Sequence, residues 1–227
     1  MSELTLGDLV QNGTMSPEIG ATLAVAAEER RSFLFVAIPR LAGKTTTLRA
    51  ALRHVPPGTR FHSLARSAGP SLGIPEAADG GYLFMAEIAD TGFDDYLWGD
   101  EVRHVFEALG RGFSLATSLH AGGVDEAFDI ITRQNGVPDA HAARIDLVVY
   151  IRSLGRDWEN PDRRVVAEVH EVQRVAGGRP DAICLHRWVE KADRFEAVAS
   201  PRRVGSISGT FNAHLAVLRP FASGRQG

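Results

Sequence analysis

Cysteine is almost missing: Cys184 stands alone in 227 residues. One thiol excludes an intramolecular disulfide framework and leaves no cysteine zinc site. No apolar run reaches the roughly 18 residues that a membrane-spanning helix needs. The opening stretch Met1-Ser2-Glu3-Leu4-Thr5 has neither the basic nor the apolar region of a secretory leader, so a cytoplasmic chain is expected. There is no compositionally biased tract, no internal repeat, and no Ser-His-Asp or metal-ligand spacing. Excess basic charge is missing too. A formal net charge of −3 excludes a chain whose main task is coating nucleic acid, although a local basic patch stays compatible with it.

What is present is an ordinary globular composition, 44% hydrophobic and 23% charged. A chain of this length buries a substantial core and fits one domain with a small appendage. The stretch on which the rest depends runs from Phe33 to Arg53. Phe33-Leu34-Phe35-Val36-Ala37-Ile38 is apolar without alternation, as expected of a parallel strand covered on both faces. Gly43-Lys44-Thr45-Thr46 follows after Pro39-Arg40-Leu41-Ala42. Leu48, Ala51, Leu52 and Val55 then repeat at helical spacing until Pro56-Pro57-Gly58. A strand that runs into a Gly-Lys-Thr turn opening a helix is the arrangement of a phosphate-binding loop: backbone N–H groups hold phosphate, Lys neutralises it and Thr ligates Mg²⁺. The tripeptide alone is common by chance; the strand before it and the helix after it supply the context. Glycine usually stands at the first place of such a loop, where this chain has Ile38, and Leu41 occupies a second place where backbone freedom is commonly used.

Before this stretch, Leu6, Leu9 and Val10 sit at helical spacing. Ser16-Pro17-Glu18 reads as a helix start with Ser16 as N-cap. After it, short strands are expected at Arg60 to Leu64 and Tyr82 to Ala86, the latter ending in Glu87-Ile88. The long Arg66 to Gly80 loop is placed beside the active site by its length. Further strands are expected at Phe113 to Leu119, ending at His120, and at Ile145 to Ile151. Helices are expected around Val102 to Leu109, Val124 to Ile131 and after Pro138. Strands alternating with helices predict a mostly parallel sheet with helices on both faces. After residue 155 the pattern changes: Val165 to Val175, Ala182 to Trp188 and Arg194 to Val198 are joined by turns too short for helices, which predicts an antiparallel meander. The tail beyond Ser200 has a short helix at Asn212 to Leu218. The implied division is an N-terminal helical segment over 1–31, an α/β core over 32–155, a meander over 156–200 and a tail over 201–227.

Glu87 and His120 are the other candidates for chemistry. A carboxylate at a buried strand end some forty residues after the loop suits orientation of Mg²⁺ or of attacking water; the plainer alternative is a strand end facing solvent. His120 lies on the same carboxyl edge, where open α/β sheets bind ligands; the plainer alternative is a hydrogen-bonding strut. The acidic run Asp90, Asp94, Asp95, Asp100 and Glu101 reads as a solvated loop and helix start, and Trp158 as a packed turn residue.

The order Gly43-Lys44-Thr45-Thr46, Glu87-Ile88, Gly112, Thr117-Ser118-Leu119-His120-Ala121, Ile145-Asp146-Leu147-Val148-Val149 and then Val166 to Val172 resembles the secretion-superfamily traffic ATPases of type II and type IV secretion and type IV pilus assembly. The likeness is nearest the archaeal-type branch, through Leu185-His186-Arg187-Trp188 and Arg194-Phe195-Glu196, and covers the family's C-terminal RecA-like domain. It implies ATP and Mg²⁺ as cofactors. Lys44 and Thr45 become the Walker A pair within a phosphate turn that includes Ala42, Gly43 and Thr46. Glu87 becomes the Walker B glutamate, His120 the histidine-box residue, and Thr45 with Glu87 the metal-binding pair. It further implies a homo-hexamer, a membrane platform protein as partner, no nucleic acid, and a peripheral place at the inner face of the membrane. Departures are Ile38, Leu41, Ala65-Arg66 in place of an acidic pair, and Ala89 in place of an Arg. They keep a second reading open, a catalytically degenerate nucleotide-binding or structural paralogue. A nucleotide kinase or GTPase fits less well, for want of an Asn-Lys-x-Asp motif.

Overall fold

The computed structural model describes residues 3–38, 41–157 and 159–222; the expectations for Pro39, Arg40 and Trp158 lie outside them. In chain order the elements are α1 (Leu6–Gln11), α2 (Pro17–Glu28), β1 (Phe33–Ile38), α3 (Lys44–Leu52), β2 (Phe61–Ser63), β3 (Tyr82–Phe84), β4 (Glu87–Ile88) and β5 (Tyr96–Leu97). Then come α4 (Asp100–Ala108), β6 (Ser114–Leu119), α5 (Val124–Asp129) with a π-helical continuation Ile130–Gln134, and α6 (Asp139–Ala142). The chain closes with β7 (Leu147–Leu154), β8 (Arg163–Ala176), β9 (Arg179–Val189), β10 (Arg194–Ala197) and α7 (Phe211–Ala222).

The strands form one sheet in the order β10-β9-β8-β7-β1-β6-β3-β2, with β4 beside β6 and β5 beside β4. From β7 through β1, β6 and β3 to β2 every pairing is parallel. From β7 outward through β8 and β9 to β10 every pairing is antiparallel. The fold is therefore α/β, with a mostly parallel sheet and a C-terminal antiparallel meander. Gly177 and Gly178, at φ 60° and 75°, turn β8 into β9 in a two-residue hairpin that requires positive φ at both places.

The unbroken apolar run of β1 is explained by the two layers it feeds. Phe33, Phe35 and Ala37 join the core under α1, α2, α3 and α7, while Leu34 and Val36 join the core under α4, α5 and α6. Each such large side chain, fully buried, contributes about 1.5–3 kcal/mol. Ser16 caps α2 by accepting from the Ile19 N–H, with Pro17 at the first helical position, as the sequence predicts.

Two expectations change. The single strand expected from Tyr82 to Ala86 is broken: β3 ends at Phe84 and β4 resumes at Glu87, with the Ser118 hydroxyl donating to the Ala86 carbonyl across the gap (2.8 Å). Residues 201–222, read as a tail with a short helix, are instead tied down along their length. Glu171 accepts from the N–H groups of Arg202, Arg203 and Val204, and Glu29 from those of Gly205, Ile207 and Ser208. Beyond them α7 runs to Ala222 and lies against α1 and α2, where Gly7 and Gly20 leave room for Phe221 and Leu218; a Cβ on either glycine would come within 3.0 Å of those side chains. No helix among the described residues is long and apolar enough to cross a membrane.

Candidate functional site

The sheet order puts β1 between β6 and β7, so the turn after β1 emerges at the centre of the carboxyl edge. Gly43 adopts φ 91° as the residue before α3, a left-handed conformation that costs a residue with a Cβ about 1–2 kcal/mol. Among the described residues no side chain caps the N-terminus of α3, which leaves its first N–H groups at the positive end of the helix dipole. Thr47 returns its hydroxyl to the Gly43 carbonyl at 3.0 Å and steadies the first turn. Thr45 and Thr46 are exposed on that turn, and Ala42 is buried beneath it.

Lys44 points inward and is 7% exposed. Its Nζ lies 3.8 Å from Glu87 Oε1 and 3.4 Å from His120 Nε2. His120 Nε2 in turn lies 3.0 Å from the same Glu87 oxygen. The hydrogen bond of His120 Nε2 is with Lys44 Nζ, and its approach to Glu87 Oε1 is a charge contact. Three strand ends thus deliver an ammonium, a carboxylate and an imidazole to one point: Lys44 after β1, Glu87 opening β4 and His120 closing β6. The break between β3 and β4 is part of this aim, because it lets Ile88 pair with Leu119 and brings Glu87 beside His120. Glu87, at 6% exposure, is not a strand end facing solvent. A buried ion pair of this kind is disrupted strongly when one partner is removed, by about 3–5 kcal/mol.

The sequence departures acquire physical readings. Ile38 is the last residue of β1, in extended backbone, where a β-branched side chain is at home. The left-handed demand falls instead on Leu41, at φ 62°, and on Gly43. Arg66, standing where an acidic residue is expected, grips the Glu101 carboxylate with two nitrogens at 2.7 and 2.8 Å and donates to the carbonyls of Thr91 and Phe93. Asp94 accepts from the Ser67 N–H and hydroxyl. The acidic run and the 66–80 loop therefore hold each other. Arg66 and Glu101 keep their charged forms through this pairing, which raises the first and lowers the second.

One residue of this edge was not found by sequence reasoning. Arg164, at the start of β8, donates from Nε to the Leu41 carbonyl at 2.9 Å, 123 positions away in sequence, and no local pattern marks it. Two cavities lie away from this edge. One of about 460 Å³ is lined by α5, the π-helical turn and the β8–β9 hairpin; the other, of about 510 Å³, lies between α2, His186 and residues 197–206.

No family model matches this sequence, and no curated protein does. Among solved structures, the chain is similar to the VirB11 ATPase from the Brucella suis type IV secretion system in complex with sulphate, at 18% identity and a TM-score of 0.43, the match covering 66% of this chain. The matched part spans 50% of the length of that solved chain.

Proposed function

We propose that this chain is the nucleotide-binding domain of a secretion- or pilus-type traffic ATPase, of the archaeal-type branch by its sequence, and that it hydrolyses ATP. The observation that carries the reading is the convergence of Lys44, Glu87 and His120 beside the uncapped N-terminus of α3. The donor set fits a nucleotide. The first N–H groups of α3 and Lys44 would hold the phosphates, and Gly43 without a Cβ lets the backbone approach them. Thr45 and Glu87 would hold Mg²⁺, which supplies positive charge against the charge that develops on the transferring phosphoryl oxygens. Glu87 would orient the attacking water and accept its proton, and His120, 3.0 Å from the same oxygen, would help position that carboxylate. Lys44 would turn part of its charge from Glu87 to the phosphates on binding. A homo-hexamer, with nucleotide at the subunit boundary and a membrane platform as partner, goes with this reading, as does a cytoplasmic place at the inner face of the membrane without nucleic acid.

The rival reading, a non-hydrolytic paralogue, is favoured by Arg66, whose pairing with Glu101 leaves a cation where an acidic pair is expected. Calorimetry of the full chain with ATP and Mg²⁺, beside phosphate release, separates the two. The expected result is binding that weakens roughly a hundredfold in Lys44→Ala, the loss of a charge-assisted phosphate contact of about 2.7 kcal/mol, together with phosphate release above that of the variant. Binding with equal release by both proteins decides for the paralogue, and no binding by the wild type refutes nucleotide function.

A further inference from the structure

Leu41 is one of four non-glycine residues with positive φ among the described residues, and it stands in the turn that precedes Lys44. A leucine at φ 62° is strained by its Cβ against the backbone. Its side chain does not offset this by burial, because it is 59% exposed. What holds the peptide is Arg164, whose Nε donates to the Leu41 carbonyl at 2.9 Å. The stem of the same arginine lies over Gly43, where a Cβ would come within 3.1 Å of Arg164 Cδ. Arg164 therefore touches Leu41 and Gly43, the left-handed residues of the turn among those described, one through its donor and one through its methylenes. Its neighbour Arg163, at the same end of β8, donates to the carbonyl of Gly13 and to Asp193, so this end of the strand is itself fixed.

We propose that Arg164 is a positioning residue for the phosphate turn. It supplies from the meander the conformational restraint that lets a leucine stand in a left-handed place where loops of this kind use glycine. The charge-assisted hydrogen bond, of a class that contributes more than a neutral one, offsets the strain at Leu41 and keeps the N–H groups of the turn convergent. The consequence for ATP affinity rests on the nucleotide reading above; the consequence for the backbone does not.

The test uses the full chain and the substitution Arg164→Met, which keeps an apolar stem over Gly43 and removes the donor. Backbone ¹⁵N order parameters are measured for Leu41 to Lys44, with calorimetric ATP–Mg²⁺ affinity as a second readout. The wild type is expected near the rigid value of about 0.85, and Arg164→Met below about 0.6 in the turn alone, with affinity about tenfold weaker. Adding Leu41→Asn, a residue that tolerates the left-handed region, is expected to return both readouts toward wild type. Unchanged order in Arg164→Met, disorder spreading equally into β8 and β9, or no recovery with Leu41→Asn would overturn the proposal. If the wild type fails to bind ATP while the order parameters follow this pattern, the nucleotide reading falls and the restraint stands.

Discussion

Glu171 offers the sharpest quantitative test of how the C-terminal segment is held. It is 0% exposed, and its carboxylate accepts from the N–H groups of Arg202 (2.8 Å), Arg203 (2.9 Å) and Val204 (2.8 Å) and from Gln173 Nε2 (2.6 Å). Glu171→Gln keeps the shape but leaves one acceptor oxygen, and it turns an N–H₂ group toward backbone donors. At least one buried N–H then goes unpaired, at about 1–3 kcal/mol, and the remaining bonds lose their charge assistance. A total on the order of 3 kcal/mol lowers Tm by about 6–12 °C in a chain of this size. Thermal unfolding followed by circular dichroism at pH 7 reads this directly. The pH dependence adds a second check. Burial drives the Glu171 carboxyl upward, but the backbone donors outweigh it and hold the group below its ordinary value of 4.5. A depressed carboxyl contributes stability that is full above 4.5 and fades as pH falls through the folded value. The gap between wild type and variant should therefore shrink on acidification below 4.5. Equal Tm at pH 7, or a gap unchanged at low pH, would refute the reasoning.

Two further predictions follow from the same geometry. His186, buried against the Thr22 hydroxyl, has its pKa pushed by burial from 6.5 down to about 4. The folded chain keeps the neutral ring, so stability is full above 6.5 and falls by about 3 kcal/mol as pH drops toward 4. His186→Asn should flatten that part of a urea-unfolding series, and an unchanged slope would count against it. Gly43→Ala places a Cβ at φ 91° and within 3.1 Å of Arg164 Cδ. It should weaken ATP–Mg²⁺ binding by more than about tenfold and cost about 1–2 kcal/mol of stability; calorimetry with both quantities unmoved would overturn the account of the turn.

Much of the architecture was legible because it follows from local periodicity. The apolar run Phe33 to Ile38 announced a doubly covered strand, Ser16-Pro17 a helix start, and the short turns after residue 176 an antiparallel meander. Lys44 was conspicuous for its context, and it is one of only two lysines in the chain, with Lys191. Less was legible where the partner is distant. The break at Met85-Ala86 depends on Ser118, and the ordering of 202–208 depends on Glu29 and Glu171, acidic residues that in sequence look like any surface carboxylates. Ile38 reads as a defect in a motif, yet its backbone is extended, so the motif's first place makes no left-handed demand here.

By itself the sequence determined the strand–turn–helix around Lys44, the alternation that makes a mostly parallel sheet, and the identity of the polar residues at three strand ends. These are properties of residues within a few positions of one another, where sterics and hydrophobic period act. Only the tertiary structure decided that Lys44, Glu87 and His120 meet within 3.8 Å, because strand order, not sequence spacing, sets which strand ends are neighbours. It decided as well that Arg66 belongs to Glu101 and that Arg164 belongs to Leu41. A guanidinium at the end of a long stem finds its acceptor through the fold, and nothing in the flanking residues specifies which acceptor that is.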